Sequence, residues 1–225
     1  MANRAYVSAW AKNFSEETKL EQFQRLLETA PVSVSRPGFT DALVRAVDVS
    51  ETPMREWDLR ARSFSPAEII ELVREHEGAD VAYEIGALWD LWTYDAGEHR
   101  WHQTHERLVI TSYGEEFDGG AAEEEGHFLI DAGFEHLFTG HAGMLGVRAN
   151  PDSARPGHPE EAAFVAEMRD PERLQEYQQR TRDNIQELFR WLRAAETEVP
   201  LDRYRLWSEG EEDLEARLDE ILAVR

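Results

Sequence analysis

Carboxylates and imidazoles are the side chains here best able to do chemistry, and they concentrate in one stretch. Residues 111–146 hold eight acids (Glu115, Glu116, Asp118, Glu123, Glu124, Glu125, Asp131 and Glu135) and no Lys or Arg. Three of the eight histidines, His127, His136 and His141, fall in the same 36 residues. Oxygen and imidazole donors together suit zinc, manganese or non-haem iron. Glu115, Glu116, His127, His136 and His141 are therefore the candidate ligands of a divalent metal. A metal-dependent hydrolase is the enzymatic alternative they offer. Crowded like charges also raise a carboxylate's pKa, as a general acid requires. The plainer reading is a solvated acidic loop over 115–125, opened by glycines at 114, 119, 120 and 126, because charge runs ordinarily face water.

Tryptophan is the second resource. There are seven, and Trp89, Trp92 and Trp101 fall on or beside one expected hairpin. Trp92 and Trp101 flank its turn, so they are expected as cross-strand neighbours. They are the candidate ligand-binding pair, for a flat or sugar-like molecule or a partner protein. Trp89, at opposite parity, should face the other side of the strand. The competing expectation is core packing, with N-terminal helices covering one face of the sheet and C-terminal helices the other. His99, His102 and His105 resemble a metal cluster only on paper. On a strand, His102 points away from the other two, and about 20 Å separates His99 from His105.

The named catalytic motifs are missing: no phosphate-binding glycine loop, no dinucleotide fingerprint, no nucleophile elbow and no H-E-x-x-H. Cysteine is absent, which excludes disulfides, thiolate metal sites and a thiol nucleophile. The formal net charge is -22, from 24 basic and 46 acidic side chains. An acidic surface without a basic patch repels nucleic acid and anionic membranes alike. It suits a basic protein or a cationic ligand. Glutamate outnumbers aspartate, 32 to 14, as solvated helix faces would require; a high-salt habitat would also favour such acidity. With no leader pattern and no apolar run of about 20 residues, the expected compartment is the cytoplasm.

These residues need elements to position them. The pattern predicts strand 5–11, a helix from Ser15 that Pro31 ends, strand 39–47 and a charged edge strand 54–61. A capped helix begins at Ser65-Pro66-Ala67-Glu68, and Gly78 stops it. Strands 81–94 and 101–113 form the hairpin. The first six elements match the split βαβ arrangement, so the expected fold is α+β: a ferredoxin-like sheet with an added hairpin strand. That fold alone licenses no activity. The expected sheet domain is 1–146, followed by a Pro-rich linker at 147–159 and a helical region at 160–225. Its seam of Leu174, Tyr177, Thr181, Ile185, Leu188 and Leu192 should cover the sheet. Nearly fitting a heptad, the seam leaves a coiled-coil homodimer open. Missing motifs and high acidity together favour a non-catalytic binding or interaction protein over the metal hydrolase.

Overall fold

The computed structural model describes residues 2–223 apart from 96, 142–143, 147–149 and 152–156. Most of the expected linker lies outside the described residues. The chain is α+β, built on one seven-stranded antiparallel sheet. Its elements run β1 (Arg4–Ala11), α1 (Glu16–Glu28), β2 (Phe39–Ala46), β3 (Arg55–Asp58), α2 (Pro66–Arg74), β4 (Val81–Asp95) and β5 (Arg100–Ser112). Short helix α3 (Ala121–Glu124), β6 (Phe128–Phe134) and α4 (His136–Thr139) come next. Then follow α5 (Pro159–Glu167), α6 (Pro171–Glu198), β7 (Leu201–Ser208) and α7 (Leu214–Ala223).

Strand order is β3-β2-β4-β5-β6-β1-β7. A ferredoxin-like sheet would place the first strand between the third and fourth, and this connectivity is not confirmed. Here β1 lies between β6 and β7 instead. Neighbours in sequence tend to pair directly. The β4–β5 hairpin continues into β6, so β1 adds beyond β6. The C-terminal region is not wholly helical either, because β7 pairs with β1 from Ala5↔Ser208 to Ala11↔Leu201. The charged strand β3 does lie at an edge.

Local signals set the helices as expected. In α2, the Glu68 backbone N–H donates to Ser65 Oγ at 3.3 Å, and the Ser65 N–H donates to Glu68 Oε2 at 2.9 Å. This is a reciprocal capping box. Both helix groups pack on one face of the sheet, not on opposite faces. Phe23 of α1 stacks on Tyr83 of β4, and Trp191 of α6 meets Trp89, which has the same parity on that strand. The other face carries ion pairs, Arg107 with Asp41 at 2.8 Å and Arg4 with Asp131 at 2.6 Å. Most of the α6 seam is buried within this chain, including Tyr177, Thr181, Ile185, Leu188 and Leu192.

The β4–β5 hairpin outruns its neighbours. Pairing with β2 stops at Ala87, and pairing with β6 begins only at Val109. Helix α6 runs back along this projecting arm. Trp191 meets Trp89, Asn184 meets Trp92, Tyr177 meets Trp101, and Arg173 donates to the His99 carbonyl. Asn184, 2% exposed, fixes the contact. Its Oδ1 accepts from the Trp92 N–H at 2.8 Å, while Nδ2 donates to the carbonyls of Trp92 and Leu137, each at 2.9 Å. One amide thereby satisfies the open edge of β4 and the start of α4.

Removing that amide leaves three backbone groups without this partner, one buried at Leu137 and two part-buried at Trp92. Asn184→Ala should therefore cost about 3 kcal/mol of folding stability, since each orphaned group costs roughly 1–3 kcal/mol before relaxation. Urea denaturation measures it; a loss below about 1 kcal/mol would show that the arm does not depend on this clamp.

Candidate functional site

A cavity of about 500 Å³ lies where the hairpin arm meets α4, α5 and α6. Trp92, Tyr94 and Trp101 come from the arm, His136 and His141 from α4 and the turn after it, Phe164 from α5 and Tyr177 from α6. Four of the rings form a closed circuit. Tyr94 lies 5.4 Å from Trp101, Trp101 5.4 Å from Tyr177, Tyr177 5.2 Å from Phe164 and Phe164 5.5 Å from Tyr94. These are the spacings of tilted and edge-to-face aromatic packing. Trp92 stands beside the circuit, with the Arg180 guanidinium 3.9 Å from its ring centre.

Polar groups sit at defined points on this apolar wall. The His141 N–H donates to Tyr177 Oη at 2.8 Å, and His141 Nε2 lies 2.7 Å from Glu161 Oε1. Glu161 also accepts the Gly157 N–H at 2.6 Å. The Gly157 donor and then His141 hold its carboxyl below the usual glutamate range. Burial pushes the Tyr177 phenol up to about 12, so it stays protonated at neutral pH. The Tyr94 hydroxyl donates to Glu167, which also meets His99 Nδ1 at 2.9 Å. Burial and this carboxylate raise the Tyr94 pKa. His136 is solvent-exposed as a residue, yet its ring stacks on Phe134 at 5.7 Å. Partial desolvation lowers its pKa. Gly140 allows the wall to close, since a Cβ there would lie 2.2 Å from Leu145 Cδ1.

The residues singled out from the sequence divide into two groups. Trp92, Trp101, His136 and His141 come together at this cavity. The other three do not join them. His127 Nδ1 accepts the Ala11 N–H at 3.0 Å, its ring stacks on Phe14 at 4.1 Å, and burial lowers its pKa. The Glu115 N–H donates to Glu16, and the Glu116 N–H donates to the Ala79 carbonyl. Both side chains are exposed, as are Asp118, Glu123, Glu124 and Glu125. Among the described residues, no group of three or more His, Cys, Asp or Glu could hold a metal ion. No described helix is long and apolar enough to cross a membrane.

Sequence reasoning missed Tyr94, Phe164, Tyr177 and Glu161. Tyr94 carried a signal, being two residues beyond Trp92 on the same strand. Tyr177 was visible only as a seam position. The hairpin register also differs from expectation: Trp101 pairs with Tyr94, and Trp92 pairs with Gln103. Comparison with protein-family models, curated proteins and solved structures found no match.

The depressed Glu161 carboxyl has a consequence for pH. Its folded-state pKa lies below its unfolded value, so its contribution is present at neutral pH. That contribution is lost as pH falls through the folded value. A carbon-detected NMR titration should find the Glu161 midpoint below the usual glutamate range, and His141→Ala should raise it. An ordinary midpoint in the unmodified protein would mean that neither donor holds the carboxylate.

Proposed function

We propose that this is a binding protein whose hairpin-arm cavity takes a cationic ligand with an apolar body. One observation carries the reading: a circuit of aromatic rings around a cavity whose lining, among the described residues, includes Glu160 and Glu161 and no Lys or Arg. Aromatic faces attract cations through the ring quadrupole, by about 0.5–1 kcal/mol at exposed sites and about 2 kcal/mol or more when desolvated. Arg180 over Trp92 is an intramolecular case of that attraction. The carboxylates add charge complementarity, and the net charge of -22 raises the local concentration of any cation. Basic side chains of a protein partner share this chemistry, but a pocket of this volume suits a small molecule best.

The metal-hydrolase alternative loses support from the separation of Glu115, Glu116 and His127 from His136 and His141. A binding role needs no metal and draws on both tryptophans singled out from the sequence.

Choline and 3,3-dimethylbutan-1-ol test the proposal, because they match in shape and differ in charge. Tryptophan fluorescence should report binding of choline and at least tenfold weaker binding of the neutral alcohol. Trp101→Ala should weaken choline binding roughly 5- to 30-fold, the range that about 1–2 kcal/mol of cation–π attraction implies. Equal affinity for the two molecules would make the site a neutral apolar pocket. Binding unchanged in Trp101→Ala would place the ligand elsewhere.

A further inference from the structure

A second cluster lies outside the cavity, on the opposite stretch of the same hairpin arm. His105 of β5 pairs across the ladder with Asp90 of β4. Its Nδ1 lies 2.9 Å from Asp90 Oδ1. The other ring nitrogen, Nε2, lies 3.2 Å from Ser35 Oγ. Ser35 is exposed, whereas neighbouring Ser33 is 1% exposed.

The loop carrying Ser35 is fixed on both sides. The Ser33 N–H donates to the Leu88 carbonyl at 2.6 Å, the Val34 N–H donates to Asp90 Oδ2 at 2.9 Å, and the Arg36 N–H donates to Ser33 Oγ at 3.1 Å. Asp90 is acceptor-only when ionised. Burial opposes its ionisation, but the donors Ser33, Val34 and His105 together hold its pKa below the usual range. A carboxylate at Nδ1 places the imidazole proton on that nitrogen. The Nε2 lone pair is then directed at Ser35. A simple loop tether would need only the Asp90 contacts; the Ser35–Nε2 contact adds an exposed hydroxyl on the second ring nitrogen.

We infer that Ser35, His105 and Asp90 form a nucleophilic triad that acts on activated esters. The residues come from a loop and two strands, in the chain order serine, aspartate, histidine. Triads are recognised by geometry and role, since the same constellation arises on unrelated folds. A cavity of about 410 Å³ reaches the cluster at Asp90 and at Val34, the residue before Ser35.

In the step, Ser35 Oγ forms a bond to the ester carbonyl carbon while its proton passes to His105 Nε2. The bond from that carbon to the leaving oxygen breaks, and Nε2 returns the proton to the leaving alkoxide. Water then attacks the acyl carbon, giving a proton to Nε2; the bond from that carbon to Ser35 Oγ breaks, and the departing alkoxide takes the proton from Nε2 to restore the hydroxyl. The products are a carboxylic acid and an alcohol. Asp90 is a positioning residue, fixing the tautomer and orientation of His105.

A fluorophosphonate probe tests this on the full chain. Attack by Ser35 forms an Oγ–P bond, fluoride leaves, and a covalent adduct remains for peptide mapping by mass spectrometry. The expected result is labelling at Ser35 and none at that position in Ser35→Ala. General-base assistance contributes typically 10²–10⁴-fold. His105→Gln should therefore label at least 100-fold more slowly, and Asp90→Asn should also be slowed. Ser35→Ala, at an exposed position, should keep the urea midpoint of the unmodified protein, which separates lost chemistry from lost folding. No adduct at Ser35, or labelling of His105→Gln at the unmodified rate, would overturn the triad.

Discussion

The projecting hairpin arm depends on one buried amide. Beyond Ala87, β4 has lost its partner β2, and an unpaired strand edge is a liability unless it is covered. Asn184 supplies both a donor and an acceptor to Trp92 and a second donor contact to Leu137. A buried side-chain amide needs such partners, because an unmatched one would be costly. Because α6 is fixed there, Tyr177, two turns earlier on the helix, is carried to Trp101 and Phe164. The cavity is the space left where helix, arm and α4 cannot close on one another.

Charge and aromaticity play separate parts. The acids of 115–125 are exposed and surround a turn, as solvated charges do. They contribute to the field of the whole protein more than to any one contact. The cavity is walled instead by the rings of the arm and α6, with Glu160 and Glu161 in its lining. Asp131, from the same acidic stretch, pairs with Arg4 on the open face of the sheet, and Glu135 is buried and accepts the Gly210 N–H. The acidic stretch is thus several structural roles in succession.

Much of the framework was legible in the sequence, because local rules decide it. Ser65 and Glu68 announce α2, alternating and buried apolar runs announce β4 and β5, and the α6 seam shows its spacing. Strand order was not legible, since pairing partners are non-local and β7 reads as a charged segment, with Asp202, Arg203 and Arg205 along it. That Trp92 and Trp101 lie together near the end of one hairpin was legible from their spacing, and both line the cavity. The exact register was not, because it depends on the length of the turn between Asp95 and Arg100. That same register brings Asp90 opposite His105. Neither partner of the triad is visible without it, and Ser35 comes from a separate loop. The expectation that His127 joins His136 and His141 failed for a similar reason: proximity in sequence says little about residues separated by a strand.

The central claim is that the rings of the hairpin arm recognise positive charge. Indole N–H signals of tryptophan-labelled protein, followed during a titration with benzyltrimethylammonium, test it most directly, since the chain has seven tryptophans in distinct surroundings. The indoles of Trp92 and Trp101 should shift together and saturate, while those of Trp10, Trp57 and Trp207 stay in place. Saturating shifts confined to the latter three, or none at any indole, would contradict recognition at this cavity.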